Sequence, residues 1–268
     1  MIDYHTHTPL CKHAEGTRIE YLRAAEKANL HEIGVSDHSP WPEGYDPDWR
    51  MHSSEFPEYC GLIDEMRAIT SDVNIKFAIE ADWVPGKIEI LKEKLESYPF
   101  DYIIGSIHYT DELPFDNPDK WHEIWTGPEK AEWIWHRYYE LLLDMVSSGI
   151  FNIIGHFDLP KKFGSKCPDT DIIKSARKKI FNAARDLNIA VEINTAGLRK
   201  PANETYPALS ILKEAAEQRI LLTFGSDAHS PHEVAADFDL ALTLAKEAGF
   251  KHYASFTQKK HTLHSLPI

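Results

Sequence analysis

The sequence is poor in features that mark several classes of protein. Its three cysteines, Cys11, Cys60 and Cys167, are widely spaced in 268 residues. We therefore expect neither a disulfide framework nor a Cys-x-x-Cys zinc site. No run comes near the roughly 18 uninterrupted apolar residues of a transmembrane helix, and the residues that follow Met1 lack the basic and apolar regions of a signal peptide. These absences predict a soluble, cytoplasmic protein.

Basic charge is also scarce. The chain has 29 Lys and Arg against 42 Asp and Glu, which gives a formal net charge of -13. This charge opposes the phosphate backbone of nucleic acids, and the sequence offers no local basic groove. We expect a small-molecule partner, with no nucleic acid and no membrane, and a homo-oligomer remains open.

Seven short apolar runs, rich in β-branched residues, have the character of buried parallel strands. They lie around residues 2–5, 32–36, 74–80, 102–107, 152–155, 190–194 and 221–225. Segments of helical period follow them, including 128–146, 171–187, 207–219 and 231–248. Another helix is predicted after the first strand, because Thr17 and Glu20 have capping-box spacing and Ile19, Leu22 and Ala25 share one face.

This alternation of strand and helix is typical of a parallel barrel or a doubly wound sheet. No glycine-rich phosphate loop follows any strand, which weakens the doubly wound alternative. We predict an α/β fold, a barrel of about seven strands in one domain over residues 1–268. The long polar connections 39–58 and 109–129 are expected to wall an active site.

Potential metal ligands stand at the ends of six of the seven predicted strands. His5 and His7, two residues apart on a strand, point to the same side and can reach one ion. In a parallel barrel the carboxyl ends of all strands meet on one face, so ligands scattered in sequence converge there. The set comprises His5, His7, His13, His38, Glu80, His108, His156, Asp227 and His229.

Nine donors are too many for one ion, because an ion takes about three or four protein ligands. The set therefore predicts a cluster of two or three ions that share a carboxylate. Imidazole and carboxylate without thiolate suit zinc, manganese or iron. Most of the other histidines lack a place at a strand end and are expected at the surface.

These motifs, in this order, resemble the polymerase and histidinol phosphatase family. The resemblance extends from His5-Thr6-His7 through Ser36-Asp37-His38, Glu80, Gly105-Ser106-Ile107-His108, Gly155-His156 and Asn194-Thr195 to Gly225-Ser226-Asp227-Ala228-His229. The runs 105–116, 158–163 and 194–201 are similar to those of the stand-alone histidinol phosphate phosphatases.

The resemblance implies a distorted, TIM-like (β/α)7 barrel and a phosphoric monoester hydrolase of histidine biosynthesis with three divalent ions. Zinc is the expected metal, with manganese or iron as alternatives. The resemblance assigns the first ion to His5, His7, Glu80 and Asp227, the second to Glu80, His108 and His156, and the third to His13, His38 and His229. A hydroxide activated by the ions is expected to attack phosphorus.

Substrate contacts are less specific in the sequence. Arg199 follows the sixth strand and resembles the family's phosphate contact, and bidentate Arg suits phosphate. Lys161 or Lys162 could contribute another contact. Asp82 could orient the substrate amine or could instead hydrogen-bond a metal ligand. Asp227 and His229 are the candidates for the acid that protonates the leaving oxygen.

Three alternatives remain open at this stage. The closest is a related phosphoesterase acting on another small phosphate ester, a nucleotide or single-stranded nucleic acid. An amidohydrolase-type barrel shares the opening His-x-His pair but would need a strand-end lysine between its metals, which we do not find. A metal-binding domain without catalysis is disfavoured because all nine ligand positions are filled.

Overall fold

The computed structural model describes residues 1–267, which contain seven parallel strands in the order β1 to β7. The strands are β1 (Ile2–Asp3), β2 (Glu32–Val35), β3 (Asn74–Asp82), β4 (Tyr102–Ser106), β5 (Ile153–Ile154), β6 (Ala190–Asn194) and β7 (Leu221–Gly225). All seven predicted strands are present. β1 and β5 are shorter than predicted, and β3 continues two residues further, to Asp82.

The sheet closes on itself beyond the ends of its outer strands. The Tyr4 amide donates to the Phe224 carbonyl at 3.0 Å, and the His7 amide donates to the Ala228 carbonyl at 2.9 Å. These bonds join the chain after β1 to the end of β7 and to the residues that follow it, so the seven strands form a nearly closed barrel. The predicted barrel is confirmed.

Eight α-helices accompany the strands within residues 1–267. They are α1 (Arg18–Lys27), α2 (Phe56–Arg67), α3 (Ile88–Glu96), α4 (Trp121–Ile124), α5 (Pro128–Ser147), α6 (Asp171–Leu187), α7 (Leu209–Glu217) and α8 (Phe238–Ala248). The predicted capping box of Thr17 and Glu20 starts α1. None of the described helices is long and apolar enough to cross a bilayer.

Three details of the predicted helices are wrong. Ile19 does not share the buried face of Leu22 and Ala25, since 49% of it is exposed. The segment 231–248 is not one helix, because a 3-10 turn at Pro231–Glu233 is followed by Ala235 and Asp237 with positive φ, and α8 begins only at Phe238. α7 is shorter at both ends than the predicted segment 207–219.

A C-terminal hairpin was not predicted. It consists of β8 (His252–Thr257) and β9 (Lys260–Ser265), which pair antiparallel. Its turn residues Gln258 and Lys259 have φ of 49° and 63°. Two-residue turns with positive φ normally carry Asn or Gly, so this sequence gives no turn signal.

The hairpin covers the N-terminal end of the barrel. The Phe256 amide donates to Tyr4 Oη at 3.0 Å, and the Tyr4 ring stacks on Tyr102 with centroids 4.4 Å apart. Lys76, near the start of β3, donates to Thr257 Oγ1 at 2.8 Å. The opposite, C-terminal end of the barrel therefore remains open to solvent.

Candidate metal centre

The nine predicted ligands lie together at the C-terminal end of the barrel, around a cleft of about 380 Å³. His5 and His7 form the buried floor, with 0% and 1% of their surface exposed. The other predicted ligands line the cleft, and they are His13, His38, Glu80, His108, His156, Asp227 and His229. Residues of both long connections wall the cleft, as predicted, among them Trp49 and Asn117.

Glu80 lies at the centre of the cluster and faces two groups of imidazoles. Its Oε1 is 3.0 Å from His156 Nε2 and 3.7 Å from His108 Nε2. Its Oε2 is 3.3 Å from His5 Nε2 and 2.9 Å from His38 Nδ1. One carboxylate thus offers a different oxygen to each group, which is the arrangement of a bridging ligand.

Asp227 completes the group around Glu80 Oε2. Its Oδ1 is 3.0 Å from His7 Nε2 and 3.7 Å from His5 Nε2. A second carboxylate therefore reaches the same two imidazoles from the β7 side. The four predicted ligands of the first ion meet at one point.

The third group is more open. His13 Nε2 and His229 Nε2 are 2.9 Å apart, and the His38 ring centre lies 5.4 Å from that of His13. The Trp49 ring packs edge-on against His13, with the two ring centres 5.0 Å apart. The loop position of His13 is thus fixed by an aromatic contact, and its free nitrogen faces His229.

Unpartnered buried atoms show that the cluster fits cations. His5 Nε2 and Glu80 Oε2 are buried, face each other and have no hydrogen-bond partner. Such atoms are costly in a folded protein unless a ligand satisfies them. Ligand bonds to zinc of about 2.0–2.1 Å place neighbouring donors roughly 3 to 3.5 Å apart, and the 3.3 Å separation of these two atoms agrees.

Electrostatics keep the carboxylates charged. Burial alone would raise the pKa of Glu80, but the surrounding histidines, His38 and His5 foremost, hold it well below its usual range. Burial opposes protonation of His7 as well, yet hydrogen bonds to Asp227 and Asp37 raise the pKa of His7 to about 9. The pKa of His108 rises to about 10 against burial because Asp82 is adjacent. These shifts favour protonated His7 and His108 beside ionised carboxylates, and protons compete with metal ions for such ligands.

Two of the predicted ligands have unusual backbone conformations. His156 has φ of 23° and Asp227 has φ of 54°, in the left-handed region that non-glycine residues seldom adopt. Strain of this kind persists where the surrounding structure imposes it, often at functional sites. In this conformation the His156 side chain reaches Glu80, and the Asp227 side chain reaches His5 and His7.

Comparison with known proteins agrees with this geometry. Residues 3–196 match the profile of the PHP domain, which covers more than half of the chain. The chain belongs to the PHP domain family. The resemblance found in its sequence motifs is confirmed.

Relatives align with this PHP protein over nearly its whole length. A probable histidinol-phosphatase of Deinococcus radiodurans is 38% identical, and the alignment covers 93% of this chain and 94% of the relative. A histidinol-phosphatase of Bacillus subtilis is 28% identical, with 90% and 97% covered. The crystal structure of a histidinol phosphate phosphatase from Lactococcus lactis, complexed with zinc, L-histidinol and phosphate, has a TM-score of 0.77 at 22% identity, with 97% of this chain and 98% of that chain covered.

The three predicted cationic contacts of the PHP domain differ in position. Arg199 and Lys162 line the cleft. Arg199 Nε lies 3.1 Å from Glu233 Oε1, and Lys162 Nζ lies 3.1 Å from Asp116 Oδ2. Lys161 is outside the lining, and its Nζ contacts Asp158, Glu204 and the Thr205 carbonyl. The geometry therefore favours Lys162 over Lys161 as a contact for substrate.

Asp82 lies behind the cleft. Its Oδ1 is 2.9 Å from His108 Nδ1, and its Oδ2 accepts from Tyr45 Oη at 3.0 Å. Arg50, from the long connection after β2, pairs with the same carboxylate at 3.4 Å. Both oxygens of Asp82 are thus engaged by protein groups, and the carboxylate adjoins a predicted metal ligand.

Two buried carboxylates of the site were not predicted. Asp37 Oδ1 lies 3.3 Å from His7 Nδ1, and Glu192 Oε2 lies 3.0 Å from His5 Nδ1. Asp37 directly precedes the predicted ligand His38 in the sequence, and its type and position just after the end of β2 were its only signal. Glu192 had a signal of its own, since it is a charged residue inside the apolar strand β6.

Proposed function

We propose that this PHP protein is a metal-dependent phosphatase that hydrolyses L-histidinol phosphate to L-histidinol and phosphate. The observation that carries the proposal is Glu80, whose two oxygens face two separate groups of imidazoles. The names of the relatives from D. radiodurans and B. subtilis support the substrate. So does the L. lactis structure, which contains zinc, L-histidinol and phosphate.

We assign three divalent ions to the cluster, with zinc first and manganese or iron as alternatives. His5, His7, Glu80 and Asp227 would hold the first ion, and Glu80, His108 and His156 the second. His13, His38 and His229 would hold the third. When bound, such ions supply positive charge to the phosphoryl oxygens and make water acidic enough to provide hydroxide near neutral pH.

The residues of the chain itself orient and neutralise the phosphate. Arg199 and Lys162 line the cleft on the β5 and β6 sides, where their cationic groups can reach phosphate oxygens. Each is paired with a carboxylate, Glu233 or Asp116, and would exchange part of that pairing for the phosphate. Bidentate hydrogen bonding makes Arg199 the better orienting group.

The proton for the leaving oxygen has two candidate donors, Asp227 and His229. The histidines around Asp227, His5 first, outweigh its burial and keep its pKa well below the usual range, while burial lowers the pKa of His229. Both shifts favour the forms that bind cations. We therefore propose ligation as the primary role of each, with proton donation to the leaving group as a second role of one of them.

Asp82 is proposed as a positioning residue for His108, because its oxygens are already occupied by His108, Tyr45 and Arg50. We further propose that residues 1–268 act as a single domain in the cytoplasm. A homo-oligomer is compatible with this proposal.

The deciding experiment measures phosphate release from L-histidinol phosphate beside a panel of sugar phosphates, nucleotides and p-nitrophenyl phosphate. Bound metals are quantified in the same preparation. We expect a clear preference for L-histidinol phosphate and more than one equivalent of zinc, manganese or iron. Equal rates across the panel would favour a PHP phosphoesterase for another small phosphate ester.

The panel also tests the acid. A substrate with a good leaving group, such as p-nitrophenyl phosphate, needs no proton from the enzyme. Asp227→Asn should lose activity toward both this ester and L-histidinol phosphate if ligation is its main role. Retained activity toward the p-nitrophenyl ester alone would make Asp227 the acid.

A further inference from the structure

Glu192 stands in the middle of β6 and is completely buried, with 0% of its surface exposed. It belongs to neither the predicted ligands nor the predicted substrate contacts. A carboxylate without partners is expensive in such a place. The polar groups that surround Glu192 therefore indicate why it is there.

The Glu192 side chain contacts two predicted ligands, the imidazole ring of His5 and the backbone amide of His156. Its two oxygens lie 3.1 and 3.0 Å from His5 Nδ1. Glu192 Oε1 also accepts a hydrogen bond from the backbone amide of His156 at 2.8 Å, and His156 is the residue with φ of 23°. The Glu192 carboxylate thereby holds the imidazole of His5, from the first group of predicted ligands, and the strained backbone of His156, from the second group.

A third predicted ligand is reached through Asn194, which lies on the same face of β6 because it is two residues away. Asn194 Nδ2 donates to Glu192 Oε1 at 2.9 Å and lies 3.3 Å from Asp227 Oδ2. Glu192 is thus connected to ligands that follow the ends of β1, β5 and β7.

The carboxylate also determines which nitrogen of His5 is free. A carboxylate oxygen accepts hydrogen bonds, so His5 Nδ1 carries the hydrogen of this contact and Nε2 is the nitrogen left for a ligand. Nε2 is the atom that faces Glu80 Oε2 at 3.3 Å. Carboxylates behind a ligating histidine commonly fix its tautomer and strengthen metal binding in this way.

We propose that Glu192 is the positioning residue that couples the first and second metal groups, by orienting His5, His156 and Asp227 together. The inference rests on the proposed metal centre. It goes beyond that centre because Glu192, which is not itself a ligand, would control the affinity of two ion sites.

Gly225, on the neighbouring strand β7, leaves the space that this arrangement needs. A Cβ at this position would lie 2.6 Å from Glu192 Oε2 and 2.6 Å from His5 Cβ. The substitution Gly225→Ala therefore displaces the pair of Glu192 and His5 without removing a single polar group. It is an independent probe of the same geometry.

The test compares Glu192→Gln, Glu192→Asp and Gly225→Ala with the wild type. Zinc affinity and stoichiometry are measured by competition with a chromogenic chelator, and kcat and KM by phosphate release. The amide NH2 of glutamine is a donor and would face the donors that now contact Glu192, such as the His156 amide. We therefore expect roughly 10- to 100-fold weaker zinc binding, with loss of ions from both groups. In Glu192→Gln, kcat should fall strongly while KM changes little. Glu192→Asp keeps the charge but not the reach and should fall between Glu192→Gln and the wild type.

Asp101→Asn is the matched control, because Asp101 is a buried carboxylate that accepts backbone amides at the other end of the barrel. It should lower stability and leave zinc affinity unchanged. Wild-type zinc affinity in a folded Glu192→Gln protein would overturn the inference. If Glu192→Gln does not fold, wild-type zinc affinity in both Glu192→Asp and Gly225→Ala would overturn it. A wild type that holds no zinc against the chelator would instead refute the proposed metal centre itself.

Discussion

The two ends of the barrel differ in whether their buried polar groups have hydrogen-bond partners within the protein. At the N-terminal end, both oxygens of Asp101 are engaged, by Arg67 and two backbone amides. Lys76 is likewise paired with Glu32 at 3.2 Å. At the C-terminal end, His5 Nε2 and Glu80 Oε2 are equally buried but have no hydrogen-bond partner.

This difference separates stability from function. A polar group whose partners are all supplied by the protein contributes to folding and leaves nothing for a ligand. A buried group left without a partner costs stability in the metal-free protein, and the cost is recovered when a ligand binds. Substitutions at the two ends should therefore affect different measurements.

The largest effect is expected at Glu80, whose carboxylate faces both imidazole groups. Glu80→Gln keeps the shape but removes the charge that would balance two ions. We expect no detectable phosphatase activity and loss of bound metal, as measured by phosphate release and elemental analysis. Circular dichroism should show an intact fold. A fully active Glu80→Gln protein would contradict the metal centre.

Zinc affinity should depend steeply on pH. In the metal-free protein the pKa values of about 9 for His7 and about 10 for His108 mean that both are protonated at pH 7. Zinc needs neutral imidazoles and must displace these protons, so affinity should rise about tenfold per pH unit for each proton released, and level off above these pKa values. Calorimetry in buffers of different ionisation enthalpy measures the release. Zinc binding without proton release would show that zinc displaces no proton from these two histidines.

The adjacent lysines should respond differently to the same change. Lys162→Met removes a cation from the cleft, and we expect kcat/KM for the phosphate ester to fall by roughly tenfold, in keeping with one charge-assisted hydrogen bond. Lys161→Met leaves Asp158 buried without its cation, so thermal stability should fall while kcat/KM of the folded enzyme stays near wild type. The reverse pattern would assign the phosphate contact to Lys161.

At the N-terminal end, Asp101→Asn should cost about 1–3 kcal/mol of unfolding free energy, because the Arg67 pairing is lost and one amide faces a poorer acceptor. Urea denaturation measures the change. The kinetic constants should stay at wild-type values. A fall in kcat with no change in stability would break the distinction between the two ends.

The smallest effect is expected in the hairpin turn. Gln258 and Lys259 both adopt positive φ, so the double substitution to Asn-Gly should relieve strain. We expect a gain of about 0.5–1 kcal/mol in the free energy of unfolding, seen as a higher melting temperature. A loss of stability would indicate that these two side chains contribute contacts that outweigh the strain.

Much of the fold was predictable because its signals are local. The seven strands are continuous apolar runs, and the Thr17 capping box marks the start of α1 directly. The β8–β9 hairpin was missed because its turn lacks Asn and Gly. The break before α8 was missed because positive φ at Ala235 and Asp237 leaves no trace in residue type.

The fold class and the side chains of the predicted cluster could be predicted from the residues alone, because strand ends and ligand types can be recognised one residue at a time. The positions of Glu80 between its two imidazole groups, of Lys162 in the cleft and of Glu192 behind His5 and His156 could not. Those relationships depend on distances between strands far apart in the chain. Such distances follow from barrel closure and register, which no local pattern of residues specifies.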